Sequence, residues 1–173
     1  ERIVDYKTGG RDFDFAGVFH GLALQLPLYL AAAAGGRTHA GMYYMPVLQP
    51  VISDAEPDAE TAAADAFRLK GLTLSEPEIL RLSQTDLDGE SSVLAGVRFS
   101  GGEAKGGVCA EGEMDALLGA AVNKAEQTLS RMYRGETDAS PAAERKGGEV
   151  CRYCEYGSVC RFDPKVPGCT VRR

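Results

Sequence analysis

No stretch of this 173-residue sequence approaches the ~20 consecutive apolar residues that cross a bilayer. The longest run, Leu22 to Ala34, is interrupted by Gln25 and Pro27, so neither a membrane span nor a membrane partner is expected. Histidine is scarce: His20 and His39 are the only two, which excludes a multi-histidine metal site, and His20 reads as a packed or solvated residue rather than a catalyst. No Gly-x-x-x-x-Gly-Lys-Ser/Thr loop occurs, so the chain does not bind ATP by that device. The pairs Gly101-Gly102 and Gly106-Gly107 lack the following Lys-Ser/Thr and read as a flexible loop. A secretory signal is not expected either, because Glu1 opens directly onto the strand-like pair Ile3-Val4, and the start without Met reads as a piece of a longer chain. The five cysteines are an odd number, and four of them crowd the last twenty-three residues. That pattern disfavours a disulfide framework and favours metal ligation in a reducing, cytoplasmic setting.

What is present suits one domain with a small appendage. Hydrophobic residues make up 44% and charged residues 25%, enough for a core and too globular in balance for a fibrous or disordered chain. The 19 Lys/Arg against 25 Asp/Glu give a net charge of −6, which argues against a generic nucleic-acid coat. Residues 144–173 hold seven Lys/Arg and four Asp/Glu, a balance of +3, which leaves −9 on residues 1–143. A basic tail on an acidic body is either the footprint of a polyanion partner or ordinary scatter. We divide the chain there, into a body of 1–143 and a cysteine-rich tail of 144–173, joined through the Pro- and Gly-containing stretch from Glu136 to Glu149.

Along the body, residues 1–7 read as a strand, Thr8-Gly9-Gly10 as a turn and Arg11 to Phe15 as a short loop. Ala16 to Ala34 reads as one helix, with Val18, Leu22, Leu26 and Leu30 on a stripe, a kink at Pro27 and a stop at Gly35-Gly36. His39 to Val51 alternates like a strand, and Pro46 suggests an edge position. A loop from Asp54 runs into a short helix through Phe67, and Glu76 to Leu82 resembles a helix with Pro in its first turn. Asp86 to Gly107 is a flexible connection or a hairpin, and Glu113 to Tyr133 a helix whose face carries Leu117, Ala121, Ala125, Leu129 and Met132. Strand, helix, strand at the start is an α/β arrangement.

Two constellations carry chemistry. Residues two apart in a strand share a face, so Asp5 and Lys7 project together from the end of the first strand. A carboxylate there suits a hard cation such as Mg²⁺, and a lysine beside it stabilises charge developing on a phosphoryl group or orients a water. Gln25 and Tyr29, four apart on the following helix, also share a face and interrupt its apolar pattern with groups that hydrogen-bond phosphates or bases. On residue types alone Asp-x-Lys reads first as a structural pair, since surface strands often carry one. In the tail, Cys151, Cys154 and Cys160 place three thiols within ten residues, among Arg152, Tyr153, Tyr156 and Arg161. Three soft sulfur ligands suit Zn²⁺ or an iron–sulfur cluster, and nearby positive charge favours the thiolate.

The run Ile3-Val4-Asp5-Tyr6-Lys7-Thr8-Gly9 followed by Gly21 to Leu30, with Gln25 and Tyr29 in place, resembles the core of the RecB-like branch of the PD-(D/E)xK nuclease superfamily. The resemblance implies a restriction-endonuclease-like α/β fold, a mixed central sheet flanked by helices, truncated here at its N-terminus. It implies that Asp5 binds the metal and Lys7 is the catalytic lysine. The Tyr6 carbonyl becomes a further metal ligand, while Gln25 and Tyr29 line the site and contact DNA. The superfamily draws another metal-binding Asp from a strand before the Asp-x-Lys strand. None precedes Glu1, and Asp12 and Asp14 are poorly placed substitutes, so this chain by itself is expected to be nearly inactive.

Cys151-x2-Cys154-x5-Cys160, followed by Phe162-Asp163, resembles the closing segment of RecB-like nucleases of the AddB/RexB type, found in ATP-dependent helicase/deoxyribonucleases. There the three cysteines, with a fourth from before the nuclease domain, hold a [4Fe–4S] cluster that ties the domain's end to its beginning. The fourth ligand is expected upstream of Glu1; Cys169 by reach, or Cys109, is the alternative, though neither sits where the family puts it, and without that ligand the cluster is either absent from this chain or replaced. Lys70-Gly71-Leu72 with the acidic segment after it also looks like the middle of such domains.

The resemblance thus implies a Mg²⁺-dependent deoxyribonuclease that works with a helicase–nuclease partner subunit on double-strand DNA ends for recombination repair. Two other readings stay open: a CRISPR-associated RecB-like exonuclease, whose chain is shorter between the two motifs, and a non-catalytic DNA-binding or interaction module stapled by zinc. Arg131, Arg134, Arg145 and Lys146 either extend a basic edge along the DNA or form a solvated surface.

Overall fold

The first strand, β1 (Arg2–Lys7), alternates exposed and half-buried residues, the mark of a strand covered on one face. It lies at the edge of a four-stranded sheet with β2 (Gly41–Pro46), β3 (Lys70–Leu74) and β7 (Val108–Cys109), in the order β1-β2-β3-β7. β1 runs parallel to β2, β2 antiparallel to β3, and β3 parallel to β7, so the sheet is mixed. The computed structural model describes residues 1–9, 12–33, 35–48, 58–143, 151 and 154–172.

One face of this sheet is covered by helices α2 (Gln25–Ala33) and α5 (Glu111–Tyr133), and the cluster between them holds Leu26, Leu30, Met42, Tyr44, Leu72, Leu74, Met114 and Leu118. Leu26 and Leu30 are fully buried, and each such burial contributes about 1.5–3 kcal/mol. The other face carries Tyr43, which packs with Leu80, Leu87, Leu94 and Val97 beneath helix α4 (Pro77–Arg81) and a second, three-stranded sheet. That sheet comprises β4 (Gly89–Glu90), β5 (Val97–Ser100) and β6 (Glu103–Gly106) in sequence order, with Gly101-Gly102 at the β5–β6 turn, so the hairpin reading of this region holds. Helix α3 (Ala59–Ala66) is capped by Asp58, whose carboxylate accepts from the Thr61 N–H at 3.0 Å.

The single helix expected over Ala16 to Ala34 is two. Helix α1 (Phe15–His20) stops at Gly21, which takes the left-handed conformation (φ +82°) that glycine adopts without a Cβ clash, and α2 starts afresh at Gln25. Pro27 therefore falls in the first turn of α2, where its missing N–H costs nothing, and no kink arises there. Leu22, expected on the buried stripe, sits in the break and is half exposed. The second strand is interior rather than an edge. Val47 N–H donates to the Lys7 carbonyl at 3.0 Å, so the Pro46 nitrogen faces the other way, beyond Tyr44, the last β2 residue paired with β3. The strand expected to reach Val51 ends at Pro46; residues 49–57 lie outside the described residues.

Strand β3 has no counterpart in the sequence reading. Gly71 sits so close to β2 that a Cβ would collide with the Met42 carbonyl, and only glycine permits that approach. Along α5 the buried residues are Met114, Leu118 and Ala121, while Leu129 and Met132 are exposed, because only the N-terminal half of this helix packs on α2.

In the tail, α6 (Gly157–Cys160) forms a short turn, and Arg172 bridges back to Ala142 while its guanidinium donates to the Ser140 carbonyl at 2.7 Å and the His20 carbonyl at 3.4 Å. Of the residues placed on a basic edge, Arg145 and Lys146 lie outside the described residues, as do Arg152 and Tyr153 beside the cysteines. Among the described residues no helix is long and apolar enough to cross a membrane.

Candidate active site

The C-terminal end of β1 and the N-terminal turn of α2 meet over the helix-covered face of the sheet. Strand alternation turns Ile3, Asp5 and Lys7 toward α2, and the i, i+4 spacing of α2 turns Gln25 and Tyr29 together toward them. The side chains form one continuous chain of contacts. Lys7 Nζ lies 2.7 Å from Asp5 Oδ2 and donates to Gln25 Oε1 at 2.8 Å, and Gln25 Nε2 donates to the Tyr29 hydroxyl at 3.3 Å. Sequence reasoning missed Tyr44, paired across the sheet with Asp5, whose ring centroid lies 5.6 Å from Lys7 Nζ. A tyrosine in an interior strand carries no sequence mark of that role.

This arrangement has consequences for what each group has left to offer. The Lys7 ammonium gives one of its three donors to Gln25 and pairs its charge with Asp5, so donor capacity remains for a substrate oxygen. Because the Gln25 amide oxygen faces Lys7, its NH₂ faces Tyr29; the Tyr29 hydroxyl accepts from it and keeps its own proton to donate. Tyr29 is half exposed and open to a large ligand.

Asp5 Oδ2 is buried, and beyond the close Lys7 ammonium, which approaches outside hydrogen-bonding geometry, it has no hydrogen-bond partner. Such an oxygen fits a hard cation. The Tyr6 carbonyl is suitably turned. The Glu1 and Lys7 carbonyls accept from Ala40 and Val47 on the β2 side, so by alternation the Tyr6 carbonyl faces the free edge of β1. Asp12 and Asp14 are engaged elsewhere, the first with Lys70 at 3.1 Å and the second capping α1 through the Ala16 N–H at 3.1 Å. Asp5 thus stands as one carboxylate, and no group of three or more His, Cys, Asp or Glu that could hold a metal occurs among the described residues.

Cys151, Cys154 and Cys160 line one cavity of about 260 Å³ with Ala139, Ser140, Pro141 and Phe162. The Cys154 N–H donates to the Cys151 carbonyl at 3.1 Å, closing the turn between them, and Cys160 ends α6. The donor chemistry therefore fits a thiophilic metal or cluster, although the three sulfurs do not close into a ligand set. Cys109 and Cys169 are not among the residues lining this cavity. Burial, with Glu113 and Glu76 nearby, pushes the Cys109 thiol up to about 11. Arg131 and Arg134 both donate to Glu136, at 2.6 and 2.9 Å, so one carboxylate offsets half of their charge. His39 pairs with Asp115 at 3.2 Å and takes no part in the site.

The chain is similar to known proteins along nearly its whole length. The chain is 33% identical over 187 residues to the B subunit of the ATP-dependent helicase/deoxyribonuclease of Moorella thermoacetica, covering 99% of this chain and 16% of that protein. It is 35% identical to the protein of that name from Desulforudis audaxviator and 33% to that from Acetivibrio thermocellus, in each case over 94% of this chain and 15% of the relative. The chain therefore corresponds to about a sixth of the length of these relatives. The profile of the PD-(D/E)XK nuclease superfamily matches residues 1–161, and the chain belongs to that superfamily.

Proposed function

We propose that this chain is the nuclease portion of a helicase–nuclease subunit, and that Asp5, Lys7, Gln25 and Tyr29 form its phosphodiester-hydrolysing site. The observation that carries the reading is the unbroken chain of contacts from Asp5 through Lys7 and Gln25 to Tyr29. Mg²⁺ held by Asp5, with the Tyr6 carbonyl beside it, supplies Lewis-acid polarisation of the phosphate and a more acidic water. Lys7, held between Asp5 and Gln25, directs a free donor at the oxygen on which negative charge develops. Tyr29 donates its free proton to a neighbouring phosphate oxygen and fixes the strand, while Gln25 holds both in register. A second metal-binding carboxylate comes from outside these residues, so the chain alone is nearly inactive.

Cys151, Cys154 and Cys160 would hold a [4Fe–4S] cluster with one further ligand from elsewhere in the longer protein, and such a cluster would brace the fold. In the longer protein, working with a partner subunit, the site processes double-strand DNA ends for recombination repair. The roughly sixfold greater length of relatives named as helicase/deoxyribonuclease B subunits supports that setting. The test is Asp5→Asn in the full-length protein, assayed for Mg²⁺-dependent degradation of linear duplex DNA. We expect a loss of at least ~10²-fold; degradation at the unsubstituted rate would overturn the assignment.

A further inference from the structure

We propose that Lys70 is a second phosphate-binding residue, which grips the nucleic-acid backbone a short distance from the reacting centre; this rests on the nuclease reading above. The register of the sheet carries it. Asp5 pairs with Tyr44 and Tyr44 pairs with Lys70, so the three stand in one row across β1, β2 and β3. Residues in such a row point to the same face, which is the face that bears Lys7 and Gln25. Two inter-strand spacings of ~4.8 Å place the Lys70 backbone about 10 Å from that of Asp5. Phosphates of one strand advance ~3.4 Å along the axis and lie farther apart than that through space, so the span reaches from the reacting phosphate to one of its next neighbours.

Lys70 is also free to change partners. Its ammonium lies 3.1 Å from Asp12, but the Asp12 side chain is 85% exposed and that of Lys70 31%, and exposed pairs of this kind are worth only ~0–1 kcal/mol. A phosphate can displace Asp12 at small cost. Lys70 and Asp12 line a cavity of about 480 Å³ together with Phe13, Phe15 and the bare backbone of Gly106 and Gly107, which leaves room for a sugar–phosphate chain to approach. The glycines are required by close packing, since a Cβ at Gly106 would collide with the Gly96 carbonyl, and the open floor follows from that requirement.

The test uses the full-length protein and a fluorescein-labelled linear duplex. Binding is measured by anisotropy without Mg²⁺ between about 50 and 200 mM salt, where each lost phosphate contact lowers the slope of log affinity against log salt by ~0.9. Lys70→Gln keeps a long stem and a donor toward Asp12, so its melting temperature is expected to match the unsubstituted protein. Its Kd should rise several-fold and its salt slope fall by about one contact, whereas Lys70→Arg should retain both. Asp12→Asn, which releases Lys70 and removes a negative charge, should tighten binding. An unchanged salt slope for Lys70→Gln, or no tightening for Asp12→Asn, overturns the proposal. Lys7→Ala separates the two claims: if it abolishes cleavage while Lys70→Gln binds normally, only the Lys70 assignment fails. If Lys7→Ala cleaves normally, the nuclease reading itself fails.

Discussion

Replacing Gln25 by Leu removes the group at the middle of the site without changing the apolar volume of α2 much. In the structure Gln25 accepts from Lys7 at 2.8 Å and donates to Tyr29 at 3.3 Å. The first bond is charge-assisted and is worth about 1.5–3 kcal/mol, the second about 0.5–1.5 kcal/mol. Both lie in a partly exposed site where water replaces part of the loss, so the lower ends apply, and folding stability should fall by ~2 kcal/mol at most. Catalysis depends more steeply on the placement of Lys7. With Gln25 gone, the ammonium is held from one side only, by Asp5, and swings toward it. A loss of ~1.4–2 kcal/mol of transition-state stabilisation corresponds to a ~10–30-fold fall in kcat. The assay is steady-state degradation of linear duplex DNA by the full-length protein, with kcat and KM resolved separately. Tyr29→Phe, which deletes only the hydroxyl donor, should act mainly on KM. Gln25→Leu with unaltered kcat and KM would refute the view that this amide positions the lysine.

Other outcomes follow from single features. Gly71→Ala forces a Cβ into the Met42 carbonyl and should destabilise the chain by ~3 kcal/mol or more, seen as a drop in thermal melting temperature or a failure to fold. The Cys109 thiol, pushed up to about 11, should resist alkylation at pH 8 and react only as the pH rises toward that value, whereas the exposed Cys154 and Cys160 should react first in metal-free protein. Because the folded Cys109 thiol holds its proton more tightly than the unfolded one, its contribution to stability is complete below the ordinary thiol pKa and is lost between about pH 9 and pH 11, which urea melts across that range would show. Full-length protein prepared anaerobically should be brown from iron-bound thiolate, and Cys154→Ser should bleach it; colourless protein that contains zinc would contradict the cluster.

The parts of the molecule legible in the sequence are those governed by local geometry. The pairing of Asp5 with Lys7 needs only the period of a strand, and that of Gln25 with Tyr29 only the period of a helix, so both pairs are visible in the residues alone. The long helix Glu111–Tyr133 and the short one after Glu76 are legible for the same reason. What escapes depends on partners distant in sequence. Five-residue β3 is a strand because β2 lies beside it, and Gly71 weakens its local signal while permitting the contact. The break at Gly21 is hidden because Val18, Leu26 and Leu30 keep a helical spacing across it, and Pro27 points to the wrong residue. Lys70 acquires meaning only through the register that sets it in line with Asp5. The apolar stripe of α5 runs its whole length in sequence but is buried over only half of it, since periodicity marks a face and not how far along it a neighbour extends.

The most direct test of the central claim is the cleavage rate of linear DNA by full-length protein carrying Lys7→Met, which keeps the alkyl stem over Tyr44 and deletes the charge. A fall of ~10²–10³-fold is expected, with DNA affinity and melting temperature little changed. Cleavage within a few-fold of the unsubstituted protein would contradict it.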